Sequence, residues 1–310
     1  MGIEVWRGGV NPWQCDQMGH LNVRFYVAHA VEALAGLAAA LGMTRAYSPH
    51  ATSTLVVREH HIRFLKEARV GDPLHMTVGV LDFGDTGATI FQALHHSLTG
   101  EVSAVAQTRL EHVSGKDAQP FAWPRSARSR AEVLMLAVPK GLEPRSLSPG
   151  DSPEDASIVR ADALGLHRYG AGAFGVPDCD AFGRVGPGQL AARIGDGATQ
   201  SIAAIRQACG QPAGPPAEGA SPVGMAVVEY RLVYRRSPTA GDRFDTRTGL
   251  RAVEARRLRQ THWMLDPETG HPWAEVHAVL VPFDLDKRKA MSLPPQALET
   301  LSAQVARFEG

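Results

Sequence analysis

The chain has 310 residues, of which 44% are apolar, with 32 basic and 32 acidic side chains. This length accommodates one long domain or two, and the apolar fraction excludes a chain that is disordered throughout. The net charge of zero argues against a nucleic-acid-binding protein, because such proteins usually carry a basic excess.

The N-terminal residues show no sign of a targeting segment. MGIEVWRGGVNPWQ lacks a basic stretch followed by an apolar one, and no run of about 18 apolar residues in the sequence is free of polar breaks. The three cysteines, Cys15, Cys179 and Cys209, form no CxxC pair, and there is no HExxH. We therefore expect a cytoplasmic protein with free thiols, no membrane span and no metal.

The main organising feature of the sequence is an internal repeat. Residues 10–16, VNPWQCD, correspond to residues 174–180, FGVPDCD, and a glycine follows each Cys-Asp pair at the same spacing, as Gly19 and Gly183. Further on, Val57 corresponds to Val227, and this offset of 227 − 57 = 170 continues without a gap through Leu110 and Leu280. The chain therefore contains two copies of one unit.

Each copy predicts a helix followed by four strands. Residues 22–41 are apolar on nearly every face, which predicts a helix in a protein interior, whereas the helix near 188–208 contains Gly195-Asp196-Gly197 and is expected to be shorter, bent or partly exposed. Alternating patterns predict strands at Val56–Leu65, Leu74–Phe83, Ala88–Ser97 and Val102–Val113, and again at Met225–Arg235, Phe244–Val253, Arg256–Leu265 and Trp273–Phe283.

Proline-rich segments separate and interrupt these copies. Residues 119–153 contain six prolines and predict an extended connector on the surface, with a short helix within Arg125–Leu136. GQPAGPPAEGASP at 210–222 predicts a mobile loop. The predicted segments are an N-terminal repeat at 1–113, a connector at 114–169, a C-terminal repeat at 170–286 and a helical tail at 287–310.

The densest polar cluster precedes the first predicted helix. Asp16, His20 and Asn22 lie where backbone N–H groups at a helix start are unpaired and partially positive. These groups could polarise a carbonyl while Asp16 acts as base or nucleophile. The alternative is local structure, with Asn22 as the N-cap and Asp16 tying down the loop. The residues alone leave both interpretations open.

PWQCDQMGHLNVRFYVAHAVEA resembles the motif that opens the hotdog-fold thioesterases, the group around 4-hydroxybenzoyl-CoA thioesterase and the acyl-ACP thioesterases. In this resemblance Asp16, His20, Asn22 and Tyr26 occupy the positions of a recurring Asp, His, Asn and Tyr, and Glu67 that of a Glu before a Gly-Asp turn. The sequence departs from the pattern of the acyl-ACP enzymes at two positions, since Met18 replaces an Asn and Ala68 replaces a Cys common in plant members.

The resemblance implies an α+β fold, a tandem double hotdog in which each repeat is an antiparallel sheet wrapped around a long central helix, with active sites at the seam between the copies. It implies catalytic roles for Asp16, His20, Asn22 and Glu67. The expected substrate contacts are Gly19, Tyr26 and Arg63, the last because a strand arginine could meet the phosphates of a carrier. We expect Glu67 to lie beside the Asp16–Asn22 loop, because a strand of about ten residues at ~3.3 Å each spans about the length of the helix.

The second copy lacks most of the polar side chains of this motif. Asp180 and Gly183 remain, but Arg184 replaces the histidine, Gly186 replaces the asparagine and Ser237 stands in the position of Glu67. We therefore predict a degenerate site with a scaffolding or substrate-shaping role. The alternative is that Asp180 works as a second base.

The resemblance implies hydrolysis of an acyl-CoA or acyl-ACP thioester to a free acid and a thiol, as in fatty acid metabolism. No cofactor is expected, since CoA or phosphopantetheine enters as part of the substrate. A hotdog hydratase or dehydratase acting on an enoyl or hydroxyacyl thioester and a non-catalytic acyl-thioester-binding protein are the alternatives. We expect no nucleic-acid or membrane partner, and a homodimer of double hotdogs is one expected assembly. The sequence does not separate CoA from the carrier protein and does not reveal the acyl chain.

Overall fold

The computed structural model describes residues 2–16, 18–148, 155–211 and 223–308. The chain divides into two compact units, the first comprising Met1–Arg145 with Gly175–Ala191 and the second Ser146–Phe174 with Ala192–Gly310. The second Cys-Asp motif therefore packs with the first unit, where the ring of Phe182 lies against Gly115. Most of the predicted mobile loop at 210–222 falls outside the described residues.

The first unit is a five-stranded antiparallel sheet with one long helix. Its elements are β1 (Ile3–Gly9), α1 (Val23–Ala40), β2 (Ser53–Phe64), β3 (Pro73–Phe83), β4 (Gly87–His96), β5 (Val102–Ser114) and the short α2 (Arg125–Val133). The strands are ordered β1-β3-β4-β5-β2, and every neighbouring pair is antiparallel.

Helix α1 packs on this sheet through a largely apolar surface. Eight of its side chains are buried, as expected for a helix that is apolar on nearly every face. Gly36 allows a close approach to β1, because a Cβ there would lie 2.4 Å from the carbonyl oxygen of Val5. Among the described residues α1 is the one helix whose length and composition would also suit a membrane span, a property that a buried core helix shares.

The second unit repeats this arrangement. It contains α3 (Ile158–Ala163), β6 (His167–Ala173), α4 (Pro187–Ala208, whose residues up to Ala191 belong to the first unit), β7 (Val223–Tyr234), β8 (Arg243–Glu254), β9 (Arg257–Leu265), β10 (Pro272–Asp284), β11 (Lys289–Ala290) and α5 (Pro295–Ser302). The strand order is β6-β8-β9-β10-β7, with β11 paired to β10, and all these pairs are antiparallel.

The α+β class and the eight predicted strands are confirmed, and the same strand order occurs in both units. Of the alternatives expected for the second helix, a shorter helix is wrong, because α4 has 22 residues and α1 has 18, whereas partial exposure is confirmed, because Gly195 and Asp196 are exposed. Glycine in α4 allows close packing: a Cβ at Gly197 would lie 3.2 Å from the carbonyl oxygen of Tyr169. The hotdog name and the four-segment division stay predictions.

The regions expected to be irregular contain more structure than predicted. Helix α3 lies within the predicted connector, and strands β1 and β6 precede the two Cys-Asp motifs, where no helix or strand was predicted. Most of the described connector residues between 119 and 148 are exposed, as expected for a surface segment, whereas Trp123, Ala131 and Leu147 are buried and anchor it. Residues 134–136 of the connector lie along β3, where Val80 exchanges backbone hydrogen bonds with Leu134 and Leu136.

Candidate active site

A tight turn at Asp16–His20 forms the centre of the candidate site. The Asp16 Oδ1 accepts hydrogen bonds from the backbone N–H groups of Met18 at 2.8 Å and His20 at 3.1 Å. Gly19 adopts φ +76°, in the left-handed region that favours glycine. Asp16 therefore builds the turn with one carboxylate oxygen, and Oδ2 takes part in neither of these bonds.

Helix α1 begins directly after this turn. Asn22 is its N-cap, and the Asn22 Oδ1 accepts a hydrogen bond from the Arg24 N–H at 3.1 Å. The capping interpretation of Asn22 is thus confirmed. A role for Asn22 in catalysis stays a prediction, and its position puts the positive end of the α1 dipole next to the turn.

Glu67 lies beside the turn, as expected. Its Oε2 is 3.1 Å from the Nε2 of His20 and 3.4 Å from the Nη2 of Arg69. The backbone fixes this contact, because the Leu21 N–H donates to the Ala68 carbonyl at 2.8 Å and His20 pairs with Arg69 as an isolated bridge. The side chain of His20 is 17% exposed and that of Glu67 is 42% exposed, so the pair is accessible from solvent.

Tyr26 joins this cluster to the interior of the first unit. Its hydroxyl accepts a hydrogen bond from the Ala68 N–H at 3.4 Å, and its ring meets that of Phe64 edge-on with centroids 5.1 Å apart. Burial raises the pKa of Tyr26 to about 12, so the phenol keeps its proton at neutral pH. The structure therefore brings Asp16, His20, Glu67 and Tyr26 to one region at the start of α1.

A second polar network supports the turn, and the sequence analysis did not identify it. The Glu32 Oε2 accepts from the Trp6 Nε1 and lies near the His29 Nδ1, both at 2.9 Å, while the Gln14 Nε2 lies 3.4 Å from the His29 Nε2. The bond to His29 lowers the pKa of the Glu32 carboxyl. Because the Gln14 carbonyl accepts from the Asn22 N–H at 2.9 Å, the network fixes the chain on both sides of the turn.

Arg63 has a different environment from the one expected. Its Nη1 donates to the carbonyl oxygens of Gly141 at 2.8 Å and Glu143 at 2.7 Å, both in the connector. On β2 it is paired with Val105, which belongs to a cluster that packs on the apolar side chains of the connector. The structure therefore gives Arg63 a role in holding the connector, and a substrate contact for it stays a prediction.

The second Cys-Asp motif forms the same turn. The Asp180 Oδ1 accepts from the N–H groups of Phe182 at 2.8 Å and Arg184 at 3.0 Å, and Gly183 has φ +77°. Here the other carboxylate oxygen, Oδ2, lies 3.4 Å from the Nη2 of Arg184, whose guanidinium also stacks over the Phe182 ring. The aspartate thus serves the turn in both copies, whereas the second copy has an arginine in place of His20 and Ser237 in place of Glu67.

Two other candidate chemistries have little structural support in the described part of the chain. No group of three or more His, Cys, Asp and Glu side chains there is arranged to hold a metal ion. Burial raises the pKa of the Cys15 thiol, and the neighbouring Asp16 raises it further. A raised pKa leaves less thiolate at neutral pH, so Cys15 is poorly placed to act as a nucleophile.

Comparisons with known proteins identify a family and a fold for this chain. A family model described as the thioesterase-like superfamily matches residues 10–133 and 175–301. A putative oleoyl thioesterase from Lactobacillus plantarum aligns with a TM-score of 0.65 at 14% identity, over 90% of this chain and 96% of its own. The 12:0-ACP thioesterase from Umbellularia californica aligns with a TM-score of 0.63 at 14% identity, over 89% and 93%. At these identities the structural matches establish a shared fold.

A curated relative matches part of the sequence. The L-carnitine dehydrogenase/betainyl-CoA thioesterase of Rhizobium meliloti (strain 1021) is 28% identical over 130 residues, which is 42% of this chain. The match spans 25% of the length of that relative.

Proposed function

This chain belongs to the thioesterase-like superfamily, and from that membership and the site we propose that it hydrolyses an acyl-CoA or acyl-carrier-protein thioester. The observation that carries the proposal is the His20–Glu67 contact of 3.1 Å beside the Asp16 turn and the start of α1. It combines a titratable imidazole, a carboxylate that can orient it and a second carboxylate in one accessible place.

The proposed reaction divides the proton transfers between these groups. Asp16, through the Oδ2 that the turn does not use, accepts a proton from water as the water oxygen bonds to the thioester carbonyl carbon. The negative oxygen that forms is favoured by the positive end of α1. As the C–S bond breaks, the departing sulfur takes a proton from the ring nitrogen of His20 that does not face Glu67. Asp16 then passes the proton that it took from water to His20, so that the products are the free acid and the thiol and both residues return to their starting states.

Glu67 is proposed to act on the imidazole. A carboxylate next to the Nε2 of His20 fixes the orientation of the ring and so positions its other nitrogen. Asn22 caps the start of α1, and Gly19 shapes the turn. Tyr26 contributes a hydroxyl that is neutral at neutral pH and lies next to Ala68. Asp180 and Arg184 are proposed to form a scaffold, since the carboxylate there is paired with the guanidinium.

The substrate class is supported by what the relatives are named for. One relative is named a betainyl-CoA thioesterase and one solved structure is named a 12:0-ACP thioesterase. The acyl group of the first named substrate is on CoA, and that of the second is on a carrier protein. CoA and the carrier's phosphopantetheine present the same thioester, so both are proposed substrates, and the protein is proposed to need no cofactor of its own and to act in the cytoplasm.

A thiol-release assay over acyl-CoAs and acyl-carrier proteins tests the proposal, with hydration of enoyl-CoAs followed in parallel. We expect thiol release and no hydration. Hydration without thiol release would assign the site to a hydratase. Binding of acyl-CoA in calorimetry without any turnover would assign it to a binding module.

A further inference from the structure

A narrow slot lies between α1 and the sheet of the first unit, on the inner side of Tyr26. Its volume is about 10 Å³, which is about the room that a single water molecule needs. Most of the lining is apolar and includes Ala30 on the helix and Ile62, Met76 and Leu94 on the strands. The slot therefore has the lining of an acyl pocket and very little depth.

Gln92 on β4 is the buried polar residue that lines this slot. It is 1% exposed and is surrounded by apolar side chains. Its Nε2 donates to the Ala30 carbonyl at 2.7 Å, and its Oε1 accepts from the Thr108 hydroxyl at 2.6 Å. Because both ends of the amide are bonded, moving the side chain would leave buried polar groups without partners. The Gln92 side chain is therefore held in one position.

We propose that Gln92 limits the substrate to short acyl groups. The inference rests on the proposed function, because Tyr26 lines the slot and its hydroxyl contacts Ala68 next to Glu67, which places the slot beside the candidate site. Tyr26 and Ala30 are one helical turn apart, a distance of ~6 Å along the axis that corresponds to roughly four bonded carbons. An acyl chain that enters past Tyr26 meets the Gln92–Thr108 pair after about that length.

The second unit offers a matched position for a control. His262 on β9 lies at the offset of 170 from Gln92 and is also buried, and its Nδ1 is 2.9 Å from the Thr248 hydroxyl. A substitution there removes a buried polar side chain from the corresponding strand of the second repeat. It leaves Gln92 and its two hydrogen bonds unchanged.

The test is a chain-length profile of kcat/KM over straight-chain acyl-CoAs of two to sixteen carbons. For the wild type we expect a maximum at or below about four carbons and at least a tenfold lower value at eight, because a pocket discriminates ~10- to 200-fold per misfitting methylene. For Gln92→Ala we expect the ratio of eight-carbon to four-carbon kcat/KM to rise at least tenfold, and for His262→Ala we expect no change in that ratio.

The outcomes separate this inference from the proposed function. A wild type that prefers eight or more carbons overturns the inference, whether or not Gln92→Ala folds, and leaves thioester hydrolysis standing. A folded Gln92→Ala with the wild-type profile, or an equal shift in His262→Ala, also overturns it. Absence of hydrolysis at every chain length would instead remove the proposed function on which the inference rests.

Discussion

Replacing Glu67 by glutamine separates a catalytic role of the His20–Glu67 pair from a structural one. Glu67→Gln keeps the size of the side chain and removes the negative charge that faces the His20 Nε2 at 3.1 Å. The Glu67 side chain is 42% exposed, so the pair is screened by solvent and its loss should change the free energy of unfolding by ~0.2–1 kcal/mol. The effect on turnover should be far larger and should approach ~10²–10⁴-fold in kcat, which is the usual contribution of a positioned acid, because Glu67 is proposed to orient the acid His20.

The assay measures thiol release and urea unfolding on the same preparations. Glu101→Gln is the matched control, because Glu101 pairs with Lys66, the residue next to Glu67, and its side chain is similarly exposed at 51%. We expect both variants to unfold at nearly the same urea concentration as the wild type and Glu67→Gln alone to lose activity.

Two results would refute this reasoning. A folded Glu67→Gln that retains wild-type kcat/KM would show that Glu67 is a surface residue at the end of β2. A loss of activity that is matched by an equal loss in Glu101→Gln would show that the measurement reports general surface charge and not the contact with His20.

Three further predictions follow from the two turns and the buried histidines. Asp16→Asn should lower the rate of hydrolysis ~10²–10⁴-fold in folded protein, since Asn keeps the oxygen that accepts the hydrogen bonds of the turn and loses the charge. Asp180→Asn should change the rate less than about twofold. Equal losses of rate in the two variants would indicate two working sites. Gly19→Ala should lower the free energy of unfolding by ~1–2 kcal/mol in urea titrations because its φ is +76°. Burial lowers the pKa of His262 to about 4 and that of His60 to about 3. Below pH 6.5, which is about the pKa of histidine in the unfolded chain, the unfolded chain therefore binds protons that the folded chain does not. The free energy of unfolding consequently falls as the pH drops. Between pH 7 and pH 5, the free energy of unfolding of His262→Gln should therefore fall by about 2 kcal/mol less than that of the wild type. An equal fall in both proteins would show that His262 does not titrate in this way.

The repeated core could be predicted from the sequence because its signals are strong and local. Helix α1 is apolar on nearly every face, and the eight core strands alternate between glycine-containing turns. Strands β1 and β6 could not be found in this way, since IEVWRGG and HRYGAGA alternate poorly and contain no buried residue. Their strand conformation depends on pairing with β3 and β8, which is a long-range interaction.

The candidate site was predictable to a different degree at each residue. The turn at Asp16 and the cap at Asn22 follow from residues that are neighbours in sequence, and the position of Glu67 follows from the lengths of a helix and a strand. The bond between Trp6 and Glu32 joins side chains 26 positions apart, and Trp6 lies on β1, a strand that the sequence did not reveal. Likewise, the depth of the slot depends on the Gln92–Thr108 bond, and no local pattern encodes that contact.

The two copies of the turn show why an aspartate alone is a weak indicator of chemistry in this chain. Asp16 and Asp180 each accept two backbone N–H groups at nearly the same distances, so the geometry of the turn is enough to account for both. The copies differ in what faces the turn, which is a histidine–glutamate pair in the first and an arginine bonded to the aspartate itself in the second. An arginine cannot exchange a proton near neutral pH, whereas a histidine can. The assignment of the reaction to the first copy therefore depends on His20 and Glu67, and substitutions at these two residues test it more directly than substitution of either aspartate.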